Sequence, residues 1–165
     1  MLFGYNRIGY DLVKPMTNIK GGFLAIDYNP QVVSELQGQN INCVYGDVDD
    51  VVLLDEVNLK KPKLFFSTIP FHETSMNIVR NVRKVNKKAI IIVVAHQIKD
   101  ALGLYEEGAS FVLLPHFIGG KHAAHMIKKY KTTKKFYAAE KKKQIKYLKD
   151  RIKRGHEHPV HETLG

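Results

Sequence analysis

Two glycines in the opening stretch "MLFGYNRIGYDLVKPM" stand five residues apart, Gly4 and Gly9. They match the first and last places of G-x-G-x-x-G, a loop that turns a strand sharply into a helix whose N-terminal amides face a pyrophosphate. The first glycine permits the tight turn, and the last lets the helix pack close to the strand. Asn6 takes the middle place, where glycine lets the backbone approach the phosphate. Asparagine tolerates left-handed backbone better than other side chains, so the turn survives. Its side chain would crowd the phosphate, which shifts preference from a dinucleotide towards a mononucleotide or weakens binding. Asp27 lies 23 residues after Gly4 and closes the apolar run in "FLAIDYNP". That is close to the distance of about 20 expected of a ribose-binding acid. A carboxylate there accepts two hydroxyl hydrogen bonds and disfavours a 2′-phosphate, against NADP. The structural alternative is an aspartate capping the Asn29–Pro30 turn. On spacing alone, Asp27→Ala is expected to weaken nucleotide binding and leave the fold intact.

Other reactive side chains carry less. His72, His96 and His116 each follow an apolar run, with Glu73 beside the first. Ends of strands are where ligands bind in open α/β sheets, yet scattered loop histidines are more often solvent contacts. A dehydrogenase needs a substrate domain and a placed acid or base, and no room for such a domain follows Pro115. No catalytic residue is assigned, and the chain is expected not to be an enzyme. His156, His158 and His161 form H-x-H-x-x-H, a pattern that can hold zinc, nickel or copper. With no cysteine nearby and Pro159 among them, an irregular tail is expected, and no metal is assigned.

A nucleotide loop needs a sheet to hold it. The runs "GFLAID", "INCVYG", "KLFFST", "AIIIVVA" and "SFVLLP" are near-continuously apolar, as parallel strands covered on both faces are. Helix-length segments alternate with them: Pro30–Gly38, Val51–Val57, Thr74–Val85 and Lys99–Gly108. Pro30 suits a first helical position, and Gly38 and Gly108 suit helix ends. This alternation predicts a Rossmann-like, doubly wound parallel α/β sheet, with "MLF" as the stub of a first strand. In the order 3-2-1-4-5-6 that strand is central. A stub there is expected to leave strands two and four facing each other across a missing partner. The expectation drawn is a truncated first strand and a natural chain that continues upstream of Met1; the alternative is a short strand completed by another subunit.

Composition and charge narrow the classes further. The chain has 165 residues, 44% of them hydrophobic, and carries a formal charge of +10. Its longest apolar run, Ala89 to Ala95, is far too short to span a bilayer. No charged-then-apolar leader opens the chain. The single cysteine, Cys43, excludes an internal disulfide framework, fits a reducing cytoplasm, and reads as a packed strand residue. Residues 1–120 hold 12 basic and 12 acidic side chains, whereas residues 121–154 hold 14 and 2. The cationic segment is expected to form one or two helices hinged at Thr132–Thr133, with Ile145, Leu148 and Ile152 as a narrow apolar stripe. Met126, Tyr130 and Tyr137 extend that stripe imperfectly. Its lysines suit solvent, an anionic lipid surface near a membrane, or nucleic acid. No base-reading motif accompanies the interleaved aromatics, so no specific nucleic acid is expected.

In the order "FGYNRIGYDL", "AIDYNP", "VYGDVDD", "STIP" and "YEEGASFVLLPHFIGG", the chain resembles a TrkA-N or RCK domain. These are nucleotide-binding regulatory modules of potassium channels and of Kef-type cation/proton antiporters. The resemblance covers about residues 1–128; "TIP" and the "AH" after the fifth strand look closest to the antiporter branch. With the charge and histidine pattern beyond it, the chain is expected to have three parts: a Rossmann domain (1–128), a basic helical extension (129–155) and a His-rich tail (156–165). The implied site comprises Gly4, Tyr5, Asn6, Arg7, Ile8 and Gly9 at the phosphates, and Asp27 with Tyr28 at the ribose. Gly46 and Asp47 would lie near the adenine, and Thr68, Ile69 and Pro70 would edge the crevice. The implied ligand is NAD(H) or ATP, ADP or AMP, acting as effector. The implied partners are a membrane cation transporter, upstream in the same chain or as a separate subunit, and a second copy through the Rossmann domain. The implied location is cytoplasmic, at the inner face of the membrane. A stand-alone NAD-dependent enzyme and a basic nucleic-acid-binding protein are the competing classes.

Overall fold

The computed structural model describes residues 1–5 and 7–156, apart from the side chains of Arg7 and Val51. Each apolar run forms a strand: β1 (Leu2–Phe3), β2 (Ala25–Asp27), β3 (Cys43–Tyr45), β4 (Leu64–Ser67), β5 (Ile90–Val94) and β6 (Phe111–Leu113). Helices alternate with them: α1 (Arg7–Thr17), α2 (Pro30–Gly38), α3 (Val51–Glu56), α4 (His72–Val85) and α5 (Ile98–Glu107). The sheet is six-stranded, ordered β3-β2-β1-β4-β5-β6, and every pairing is parallel. This is the doubly wound Rossmann order expected from the alternation.

Helix ends follow from local chemistry. Pro30 takes the first position of α2, and Asn29 caps it by accepting from the Gln31 amide at 2.9 Å. Gly108 ends α5 in a left-handed conformation, at φ 111°. α4 starts two residues before the expected Thr74, because Phe71 already has extended backbone and the Ser75 amide bonds its carbonyl.

Two apolar layers sandwich the sheet. On one face Phe3, Ile26, Phe65, Ile91 and Val93 pack with α3, α4 and α5 through Leu53, Ile78, Val79, Val82 and Leu104. On the other, Leu2, Ala25, Phe66 and Val94 meet α1 and α2 through Val13, Met16, Val32 and Leu36. Side-chain alternation along each strand sends successive residues to opposite layers.

The gap anticipated between strands two and four is not found among the described residues. Leu2 and Gly4 donate to the Leu24 and Ile26 carbonyls at 2.8 and 2.9 Å. Phe66 and Thr68 donate back to Met1 and Phe3 at 3.0 and 2.9 Å. β2 and β4 are themselves short, so a two-residue strand suffices to complete both ladders. The Met1 amino group, largely desolvated, donates to the Leu64 carbonyl at 2.7 Å, and burial pulls its pKa down to about 6.

Compact units span Met1–Gly119 and Gly120–Gly165, the division falling inside α6 (Pro115–Tyr130). In the second unit α6 ends at the expected hinge and α7 (Lys134–Lys153) begins beyond it. Tyr130 stacks on Phe136 across this corner with ring centroids 3.4 Å apart, and the Tyr137 hydroxyl donates to the Lys131 carbonyl at 3.1 Å.

Candidate nucleotide site

β1, β2 and β4 all end on one edge, and at the β1–β4 step the connections leave towards opposite faces. That is a topological switch point, where open α/β sheets form a crevice. Gly4 stands at the end of β1 with φ +79°, a left-handed backbone that glycine adopts without strain. A Cβ there would lie 2.6 Å from the Thr68 hydroxyl oxygen. That hydroxyl instead donates to the Gly4 carbonyl at 3.0 Å, tying the loop to the end of β4. At Gly9 a Cβ would overlap the Gly4 carbonyl oxygen, so only glycine lets α1 approach the loop this closely. The two glycines therefore fill the turn and close-packing roles read from their spacing. Asn6 and the Arg7 side chain, which the sequence placed at the phosphates, lie outside the described residues.

Asp27 has a different first task from the one its spacing suggested. Its side chain is buried, the residue being 7% exposed. One carboxylate oxygen accepts from the Tyr5 amide at 2.8 Å, and the other accepts from the Asn29 amide at 2.9 Å. The carboxylate thus holds the glycine loop and shapes the turn into α2 at once. Each oxygen still has a lone pair, so a ribose hydroxyl can be accepted in addition. The expectation that Asp27→Ala leaves the fold intact is corrected by these two bonds, because alanine would strand the buried Tyr5 amide.

The remaining sequence-derived residues divide into two sets. Tyr28 is 72% exposed beside Asp27, open to a ligand. Asp47 is exposed after β3 and accepts from the Asp49 amide at 3.0 Å, while the Gly46 amide donates to the Asp27 carbonyl at 3.1 Å. Thr68, Ile69 and Pro70 continue from β4; the Ile69 amide bonds the Ser67 hydroxyl and its carbonyl accepts from Ser75. By contrast the Tyr5 ring is 1% exposed and packs in the core, its hydroxyl 3.2 Å from Glu35. Ile8 packs against the same layer. Only the backbone of Tyr5 can face a phosphate.

Sequence reasoning missed two supports of this edge and one exposed ring beside it. Thr74, buried in the first turn of α4, donates to Asp49 at 2.6 Å and ties that helix to the loop after β3. Glu35 receives the Tyr5 hydroxyl. Phe71, 67% exposed, stands just before α4. The first two pairs lie 25 and 30 residues apart, and no local pattern announces them.

Among the described residues the histidines do not assemble a reactive cluster. His72 opens α4 with Nδ1 3.8 Å from Asp100, and His96 lies with His116 at 6.4 Å between ring centroids. Among the described residues no group of three or more His, Cys, Asp or Glu could hold a metal. Of the terminal histidines only His156 is described; His158 and His161 lie outside the described residues. Cys43 donates to the Val33 carbonyl at 3.5 Å, and desolvation raises its pKa. A cavity of about 700 Å³ lined by Leu54–Lys60 and the end of α4 opens towards the opposite edge of the sheet, away from Gly4 and Asp27. It has no part in this crevice.

A glycine turn into α1, a buried acid at the end of β2 and a crevice at the switch point together define a Rossmann fold with a candidate nucleotide site. The sequence agrees: residues 1–115 match the model of the TrkA-N domain, and the chain belongs to that family. The solved TrkA-N domain of inner membrane protein ybaL from Escherichia coli superposes with a TM-score of 0.70 at 23% identity, covering 76% of this chain and 93% of that one. The NAD(P)-binding domain of an exopolyphosphatase-related protein from Archaeoglobus fulgidus superposes at 0.66 and 23% identity, covering 78% and 96%. The GsuK channel bound to NAD superposes at 0.59 and 21% identity, covering 69% of this chain and 20% of the channel chain. At these identities the likeness is one of fold. No curated protein matches the chain in sequence. The family resemblance read from the motifs is borne out, and the fold is similar to that of the ybaL domain and of the GsuK channel.

Proposed function

We propose that this chain is a nucleotide-sensing regulatory module that controls transport of potassium or another monovalent cation. The observation that carries the reading is the Asp27 carboxylate, which is buried at the switch point and bonded to the backbone of the glycine loop. A ligand that bonds this carboxylate and the loop amides together couples the ends of β1 and β2. The GsuK structures with NAD and with ADP support an adenine nucleotide as the effector class, and Tyr28, Asp47 and the Thr68–Pro70 segment would line its crevice. In this reading nucleotide is an effector and not a substrate: among the described residues Asp27 is held by two backbone amides, as a binding acid is.

The partner is a membrane cation transporter, joined to this chain or assembled with it, and the module works in the cytoplasm at the inner membrane face. The similarity to ybaL favours the antiporter branch. No helix among the described residues is long and apolar enough to cross a membrane. A second copy pairs through the Rossmann domain. Ile98, Leu102 and Tyr105, exposed at i, i+4 and i+7 on α5, support such a surface. Residues 121–154 face anionic lipid. Nucleotide shifts the arrangement of the pair only through different affinities for its two states.

Isothermal titration of the chain with NAD, NADH, ADP, ATP and AMP tests the reading. Saturable binding of at least one, competed by the others and weakened in Thr68→Val, is expected. Absence of binding by all five, in protein shown to be folded, refutes it.

A further inference from the structure

Helix α7 carries nine basic and two acidic side chains, a net +7 over twenty residues. Their arrangement is uneven. At about 100° per residue, Tyr137, Ile145, Leu148 and Ile152 fall within an arc of about 80°, which Lys134 and Lys141 share with their long aliphatic stems. Lys135, Lys142, Lys146, Lys149 and Lys153 form a row along one border of that stripe, within an arc of about 60°. Glu140 and Asp150 lie towards the far side, where they pair with Lys143 at 2.7 Å and Arg154 at 3.3 Å. None of the five row lysines has an ion-pair partner among the described residues, and all are exposed. The three aliphatic side chains are also open to solvent, Ile145 42%, Leu148 48% and Ile152 58% exposed.

We propose that α7 docks in the plane of an anionic phospholipid bilayer, its apolar stripe in the interface and its lysine row against the headgroups. Charge complementarity selects the occupant. Residues 1–120 carry no net charge, so the attraction belongs to this segment and not to the molecule as a whole. A nucleic-acid backbone would neutralise the lysines but leave the aliphatic stripe in water. A second α7 would cover the stripe but bring two +7 helices together. A bilayer interface accepts the stripe and the lysine row in one orientation. With only a narrow apolar stripe, binding is led by charge and falls with ionic strength. The inference rests on the membrane placement proposed above, and nucleotide affinity is measured on the same variants so that each reading can fail alone.

The full chain is sedimented with phosphatidylcholine vesicles and with mixed phosphatidylcholine–phosphatidylglycerol vesicles, and titrated in parallel with a short DNA duplex. Wild type is expected to bind the mixed vesicles and not the neutral ones. Lys142→Gln/Lys146→Gln/Lys149→Gln should weaken vesicle partition on the order of 100-fold, about five-fold per lysine near an anionic surface. Ile145→Ser/Leu148→Ser should weaken vesicle binding, leave duplex binding unchanged and leave nucleotide affinity at the wild-type value. No binding to mixed vesicles, or equal binding to both kinds, overturns the proposal. So does full vesicle binding by the serine variant, since the surface would then be a general polyanion binder such as one for nucleic acid.

Discussion

Removing the Asp27 carboxylate probes the junction on which the crevice depends. In Asp27→Ala the Tyr5 amide, in a residue 1% exposed, loses its acceptor, and the half-buried Asn29 amide loses another. A buried donor left unsatisfied costs about 1–3 kcal/mol, and the second amide, which water can reach, adds about 1 kcal/mol. The expected loss is therefore about 2–4 kcal/mol. For a chain of this length each kcal/mol moves Tm by about 2–4 °C, so alanine should melt roughly 4–16 °C lower. Asp27→Asn keeps one acceptor but turns an amide donor towards a backbone donor, and should fall between alanine and wild type. Thermal unfolding followed by circular dichroism gives the order, and calorimetric titration at a temperature where every variant is folded gives nucleotide affinity. If alanine melts within about 1 °C of wild type, the carboxylate does not hold the loop and the account of the site fails. If stability falls as expected while nucleotide affinity is unchanged, Asp27 is only structural and no ribose acid.

Three further outcomes follow from the packing. Gly9→Ala drives a Cβ into the Gly4 carbonyl; it should cost about 1–3 kcal/mol as an overpacked contact and abolish nucleotide binding, whereas Gly38→Ala, which meets nothing within 4 Å, should leave binding unchanged by titration. Arg83 bonds the Gly108, Asn86, Lys87 and Ala89 carbonyls and the Ser110 hydroxyl; Arg83→Ala should lose about 2–4 kcal/mol in urea unfolding, and Lys, lacking the planar fork, should recover little of it. The Met1 amine is charged below its folded pKa of about 6 and penalised there by burial. For the 165-residue chain with a free amino terminus, that penalty is complete below pH 6 and gone above the ordinary value of 8.0. Stability should rise between those limits by about 3 kcal/mol, and N-terminal acetylation should remove that rise from the denaturation profile; an identical profile after acetylation would contradict the buried amine.

The alternation of apolar runs and helix-length segments was enough to order the six strands, since a parallel strand covered on both faces must read as continuously apolar. Gly4 and Gly9 were legible because their roles depend on the absence of a side chain, which no neighbour can supply. α2 matched its expected bounds, since Asn29, Pro30 and Gly38 are local signals. The basic segment and its hinge were equally visible, charge being a property of composition.

Tertiary structure decided what lay between distant residues. Whether the acid at position 27 meets a ligand, a turn or the glycine loop depends on how far β1 and β2 extend and how the loop leaves them; in the fold it meets two backbone amides. Tyr5 belongs to the glycine loop in sequence but to the core in space, because the left-handed backbone of Gly4 turns the chain after β1 and carries the ring into the layer of Leu2, opposite Phe3. The Thr74–Asp49 bond, the ladder that completes a two-residue β1 and the buried Met1 amine exist only once strands and helices remote in sequence are side by side. Local propensity and composition act within a few residues and so can be read directly. Hydrogen-bond partners and desolvation are set by the whole packing, and those put the Tyr5 ring in the core and the Asp27 carboxylate against two backbone amides.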